Sequence, residues 1–249
     1  MRSADILVKT YPLDYEWLVY LFRSLEVHRV TGYRNVILLL EEQYPAPVGL
    51  PANAVIARSK RYVGTDPSKP DKYLSGRGSV MERLSAFKYT DAEVLIYVDS
   101  DFVFTRDVDL QADPGICIDK PAVWWRTWVQ AGVAACWLPA AAETLGYLPK
   151  VDTMCHSPMV YPTAVLRAFW EFIGGEQRFV TLTNFTDWDA LGNYAIDYHP
   201  DLVTPVYEQA PGSHGAPGFL RQFWSWQRAN HPEVRAAMRE LGLLPPGEQ

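Results

Sequence analysis

Asp99-Ser100-Asp101 stands directly after the unbroken apolar run Val94-Leu95-Ile96-Tyr97-Val98 and before Phe102-Val103-Phe104. Two carboxylates at the end of a buried strand are costly to desolvate unless a cation or hydrogen-bond donors meet them. Mg²⁺ and Mn²⁺ choose oxygen ligands and commonly bridge carboxylate to phosphate, so the arrangement suits a metal-held phosphate. The tripeptide alone also occurs as an aspartate turn or helix cap; the apolar strand before it carries the metal reading. Upstream, positions 58 to 88 hold eight basic and three acidic residues, a net +5 inside a chain of formal charge −6. Such a segment suits a diphosphate, and equally a solvated charged loop. Within it Arg77 and Arg83 have the fork that grips phosphate oxygens pairwise, whereas Lys72 and Lys88 offer less specific point charges.

These residues need a frame. Ile6-Leu7-Val8 reads as a buried strand that leaves through Lys9-Thr10-Tyr11-Pro12 into a loop. Asp14 is set to cap the next helix, where Trp17, Leu18, Leu21, Phe22 and Leu25 recur at helical spacing. After Gly32, Val36-Ile37-Leu38-Leu39-Leu40 reads as a second strand buried on both faces, and strand, helix, strand in that order predicts a parallel α/β sheet. Pro45, Pro47 and Pro51 punctuate the connection to a short strand at Val55-Ile56. Gly64 to Gly78 reads as a long mobile loop, followed by a helix presenting Val80, Leu84 and Phe87 and then by the Val94 strand. Ala122-Val123-Trp124-Trp125 reads as a further strand; Thr163 to Ile173, Asp187 to Ile196 and Pro232 to Leu241 read as helices. The last six residues, from Leu244, read as a frayed tail.

The 249 residues, 48% hydrophobic and 21% charged, suit one ordered α/β domain. No repeat or linker divides it. The 9 Trp and 14 Tyr furnish core area first, and stacking surfaces for sugars or bases second. Net negative charge disfavours general adhesion to nucleic acid. The first nine residues lack a signal-peptide run, and no stretch approaches the roughly 20 apolar residues of a membrane span. Cys117, Cys136 and Cys155 are scattered and odd in number, against a zinc site or a disulfide framework. A cytoplasmic location without a transmembrane segment is the expectation.

The segment from Val94 through Asp99-Ser100-Asp101 to Phe102-Val103-Phe104-Thr105-Arg106-Asp107-Val108 resembles the D-x-D segment of GT-A nucleotide-sugar glycosyltransferases. The opening from Ile6 to Leu18 is similar to the start of a largely uncharacterised bacterial group of that type. The stretches Met154-Cys155-His156-Ser157-Pro158-Met159-Val160-Tyr161-Pro162 and Phe185-Thr186-Asp187-Trp188-Asp189-Ala190-Leu191-Gly192-Asn193-Tyr194 also resemble motifs of that group. The resemblance implies a GT-A-like, Rossmann-like three-layer sandwich with a mixed, mainly parallel sheet. The nucleotide-binding part would span about 1–110, the acceptor-side part about 111–230, and a tail would follow.

It further implies transfer of a sugar from a nucleotide-diphosphate donor, most naturally a UDP-sugar, to a hydroxyl of a glycan or glycoconjugate, with Mn²⁺ or Mg²⁺. Asp99 and Asp101 would hold the metal, Asp99 and Ser100 would contact the donor, and Lys9, Thr10 and Tyr11 would seat the nucleoside, with Tyr11 stacking on the base. His214, between Gly212 and Gly218, is the candidate for a further metal ligand, with His199 behind it. An inverting transfer needs a carboxylate base. Asp187 and Asp189, flanking Trp188, fit in type, although aspartate at a helix start is also a routine cap; one is expected to cap and the other, by preference Asp187, to face the acceptor. His156 is an alternative acceptor-side residue.

Three rivals remain. A sugar nucleotidyltransferase would carry a Gly-rich loop after the first strand, and Lys9 to Asp14 has no glycine. An inactive sugar- or nucleotide-binding module would show no metal-dependent turnover. A transferase acting on modified DNA would use Lys60, Arg61 and Lys69 in salt-sensitive binding.

Overall fold

The computed structural model describes residues 1–60, 80–128, 137–154, 158–182, 184–207, 218–223, 229–244 and 247. Its frame is built from β1 (Ala4–Lys9), α1 (Tyr15–Val27), β2 (Val36–Glu41), β3 (Ala54–Ser59), helical residues 80–84 (α2) and β4 (Val94–Tyr97). There follow β5 (Phe102–Phe104), β6 (Ala122–Trp125), α3 (Trp137–Leu145), β7 (Met159–Pro162), α4 (Thr163–Phe172) and α5 (Gly175–Phe179). The last elements are α6 (Trp188–Tyr198), β8 (Thr204–Tyr207), β9 (Leu220–Gln222) and α7 (Pro232–Glu240).

Five strands form the central sheet in the order β3-β2-β1-β4-β7. The first four run parallel and β7 closes the edge antiparallel to β4. Ile6 on the central strand faces Val36 on one side and Ile96 on the other. The chain lays down β1, β2 and β3 outward in one direction, then crosses back to place β4 on the other flank of β1. That reversal opens a crevice between the carboxyl ends of β1 and β4, where open α/β sheets bind ligands. Two small pairs, β5 with β9 and β6 with β8, stand outside this sheet.

Both faces of the sheet are covered because strand side chains alternate. Ile6, Val8, Leu38 and Ile96 pack with Leu18, Leu21, Phe22 and Leu25 of α1. Leu7, Ile37, Leu39, Leu95 and Tyr97 pack on the opposite face with Leu84, Val165, Phe169, Trp188 and Leu191. The result is an α/β layer structure compatible with a Rossmann-like sandwich. A third cluster joins Trp17 and Tyr20 of α1 to Met238 of α7 and to Leu243 and Leu244. Leu244 is fully buried, so the tail expected to fray is anchored at its start.

Asp5 is a buried carboxylate inside β1, where apolar patterning gives no warning of it. Arg34 Nε and Nη2 reach it at 3.2 and 3.0 Å, the Asn35 amide donates over 3.1 Å and Thr90 Oγ1 over 2.5 Å. With the Asn35 side-chain amide at 3.3 Å, five donors offset the desolvation that an isolated carboxylate would suffer. Among the described residues, no helix is long and apolar enough to cross a membrane.

Candidate functional site

β1 ends at Lys9 and β4 at Tyr97, so Thr10 to Asp14 and Asp99 to Asp101 emerge side by side at the crevice. A hydrogen bond links the two exits: Ser100 Oγ donates to Asp14 Oδ2 over 2.9 Å, and Tyr11 also bonds to the Asp14 carboxylate. This corrects the expectation that Asp14 caps α1. It occupies the N-cap position without a capping bond, because its carboxylate is turned to Ser100. Burial raises the pKa of Asp14, partly offset by Ser100 and Tyr11, and Asp99 raises it further.

The three residues of Asp99-Ser100-Asp101 have different surroundings. Ser100 and Asp101 are buried. The Asp101 carbonyl accepts from the Phe223 amide over 2.8 Å, and the Phe102 amide donates to the Asp99 carbonyl over 3.2 Å, which fixes the turn. Asp99 retains solvent contact, yet enough protein encloses its carboxyl for desolvation to raise its pKa, against the lowering effect of Arg83. Asp99 is thus the solvent-facing member of the three.

Arg83 and Asp187 form the second half of this neighbourhood. Arg83 Nε donates to Asp187 Oδ2 over 2.7 Å, Nη2 reaches the same oxygen, and the guanidinium lies 5.5 Å from the centre of the Trp188 ring. Trp188 packs edge-on to Tyr97 at 4.8 Å, and the Tyr97 hydroxyl donates to the Arg83 carbonyl over 2.9 Å. Desolvation pulls the Arg83 pKa down, but Asp187 and then Asp99 outweigh it, so the cation is held firmly. Asp187 is also the N-cap of α6, accepting from the Trp188 amide over 3.0 Å.

Asp189 lies elsewhere. It is fully buried, and its Oδ1 accepts from the amides of Thr153 and Met154 at 2.8 and 3.2 Å. The expected division, one aspartate capping and the other open to an acceptor, is therefore not the arrangement found: Asp187 caps and holds Arg83, and Asp189 holds a turn.

Thr10 is fully buried, and its Oγ1 meets no hydrogen-bond partner among the described residues. Tyr11 is 40% exposed beside it, accessible enough to stack on a ring. Lys9 instead turns inward to an ion pair with Glu82 of α2, to which Ser59 Oγ also donates. Sequence reading missed Glu82, since a lone glutamate on a helix carries no signal of a buried partner. His199 ends α6, a helix of 11 residues and so roughly 16 Å long, far along it from Asp187. Arg77, His156 and His214 lie outside the described residues, as do Arg61, Lys69 and Lys72.

Among the described residues no three His, Cys, Asp or Glu side chains converge on one point. Mg²⁺ is commonly held by no more than one or two carboxylates, together with water and substrate phosphates. No family model matches the chain, and no curated protein matches it.

Proposed function

We propose that this chain is a metal-dependent glycosyltransferase of the GT-A type, acting on a nucleotide-diphosphate sugar, by preference a UDP-sugar, and a hydroxyl of a glycan or glycoconjugate. The observation that carries the reading is the convergence of Asp99-Ser100-Asp101 with the turn after β1 at the sheet's switch point, tied by the Ser100–Asp14 bond. Asp99 and Asp101 are the residues to hold Mn²⁺ or Mg²⁺. Such an ion, when bound, supplies Lewis-acid stabilisation of the departing diphosphate.

The remaining work falls to the protein's own side chains. Tyr11 offers an accessible ring to the base, and Thr10, buried beside it with its hydroxyl unpartnered among the described residues, backs that ring. Arg83 sets a cation beside Asp99, suited to the charge that builds on a leaving diphosphate. Asp187, paired with Arg83, is the carboxylate we assign to take the acceptor proton in an inverting displacement. Asp189 is too deeply buried to meet an acceptor and supports the helix that carries Asp187.

The test is hydrolysis or transfer from a panel of sugar nucleotides with Mn²⁺, repeated for Asp99→Asn and Asp101→Ala. Metal-dependent turnover lost in both variants supports the reading. Absence of metal-dependent turnover with every donor sinks it in favour of a binding module.

A further inference from the structure

Between α6 and the 150–154 segment, two carboxyl groups approach each other in a dry setting. Asp152 and Asp189 are both fully buried. The single Met154 amide lies 2.9 Å from Asp152 Oδ1 and 3.2 Å from Asp189 Oδ1, so the two groups converge on one N–H. Asp189 Oδ2 is buried and meets no hydrogen-bond partner among the described residues. Two charged carboxylates this close and this dry would repel, which favours a proton on one of them.

Arg126 decides which. Its Nε donates to Asp152 Oδ2 over 2.8 Å, and its backbone exchanges two hydrogen bonds with Asp152 at 2.9 and 3.0 Å. The cation therefore lies on the Asp152 side of the pair, which leaves the proton to Asp189. Burial and then the Asp152 charge both hold the Asp189 carboxyl well above the ordinary carboxylate range.

Further hydrogen bonds join the 150–154 segment to α6 around the pair. Asn193 Nδ2 donates to the Val151 carbonyl over 2.7 Å, and Thr153 Oγ1 donates to the Trp188 carbonyl over 2.9 Å. Gly192 makes the approach possible, since a Cβ there would lie 2.2 Å from Thr153 Oγ1. Among the described residues, other charged groups on the packed elements have partners of their own. Asp187 turns to Arg83, Lys150 pairs with Asp197, Glu143 of α3 is bonded to Asn184, and Arg167 of α4 lies over Phe87. Glu171 of α4 is exposed.

We propose that Asp152 and Asp189 share one buried proton that fastens the 150–154 segment to α6, making this attachment a pH-sensitive latch. Loss of the proton puts two like charges side by side away from water, with the Arg126 guanidinium at Asp152 opposing them. The folded pair binds the proton more tightly than the unfolded chain does. Its stabilisation is thus fully present at acidic pH and is lost as pH rises through the folded pair's release point. The open fraction grows up to about tenfold per pH unit between the release point of the open chain and that of the folded pair, and levels off above the latter. The first turn of α6 also bears Asp187, so opening is transmitted to Arg83. The latch does not depend on what binds at Asp99.

Asp189→Asn supplies a neutral amide that can donate to Asp152 and accept from Thr153 and Met154. Denaturant melts of the full chain between about pH 5 and pH 8 are expected to show a shallower pH slope for Asp189→Asn than for wild type, by up to one proton per molecule. In wild type, exchange of the Thr153 and Met154 amides, corrected for the intrinsic rate, should speed up across the same range. An Asp189→Asn slope equal to wild type overturns the latch. So does pH-independent protection of those two amides, which needs no variant and decides the matter if Asp189→Asn fails to fold.

Discussion

Arg83 and Asp187 are 104 positions apart and meet across the crevice, with Arg83 Nε 2.7 Å from Asp187 Oδ2. The contact joins α2, which precedes the Asp99 strand, to the first turn of α6. Asp187 has a 4% exposed side chain and Arg83 a 21% exposed one, so neither charge is easily rehydrated when its partner is lost.

Removal of either partner should therefore be expensive. Arg83→Ala is expected to cost about 3–5 kcal/mol, the range for an ionic group left buried without its partner. Arg83→Lys should recover only part of this, since a single ammonium cannot reproduce the fork or lie flat on Trp188. Chemical denaturation of both variants measures the difference.

Lys9→Met tests the second buried pair and carries a pH signature. Burial raises the Glu82 pKa, and Lys9 is the largest influence lowering it. Without Lys9 the folded-state pKa of Glu82 rises further, so the variant's penalty should be large at neutral pH and shrink as pH falls into the range where Glu82 binds a proton. A penalty independent of pH would mean that Glu82 is not the group left stranded.

How much of this was legible in the sequence follows from the range of the forces involved. The strands around Ile6, Val36 and Val94 were readable because a strand buried on both faces must be apolar throughout, and Asp99-Ser100-Asp101 stood out as the first polar group after such a run. Antiparallel β7 was not recognised as a strand, since Met159-Val160-Tyr161-Pro162 is short and ends in proline. The pairs Arg83–Asp187, Lys9–Glu82 and Arg126–Asp152 were invisible, because each is made by tertiary approach and has no local spacing. Asp14 and Leu244 were misread for the same reason: a cap residue and a tail residue look alike whether or not a distant partner takes them.

Gly192→Ala should be disruptive although alanine favours helices. An added Cβ would lie 2.2 Å from Thr153 Oγ1, 2.5 Å from its Cβ and 2.8 Å from its Cγ2. Such overpacking is expected to cost about 1–3 kcal/mol, with partial recovery in the double variant with Thr153→Ala. Melting temperatures of the single and double variants check it.

Leu244→Ala should behave as a core substitution. Leu243 and Leu244 are fully buried beside Trp17 and Met238, and each truncation to alanine is expected to cost about 2–5 kcal/mol. A neutral result would show that the chain end does not hold α7 against α1.

The central claim is that Asp99 and Asp101 bring a divalent cation to a nucleoside diphosphate at the β1–β4 crevice. The most direct measurement is the melting temperature of the full chain with UDP, with Mn²⁺, and with both, for wild type and Asp99→Asn. Ligand at a hundredfold excess over its dissociation constant stabilises by about 2.7 kcal/mol. The account predicts a clear rise with UDP and Mn²⁺ together, little with either alone, and loss of that synergy in Asp99→Asn. Equal stabilisation by UDP with and without Mn²⁺, or a response unchanged in Asp99→Asn, would contradict it.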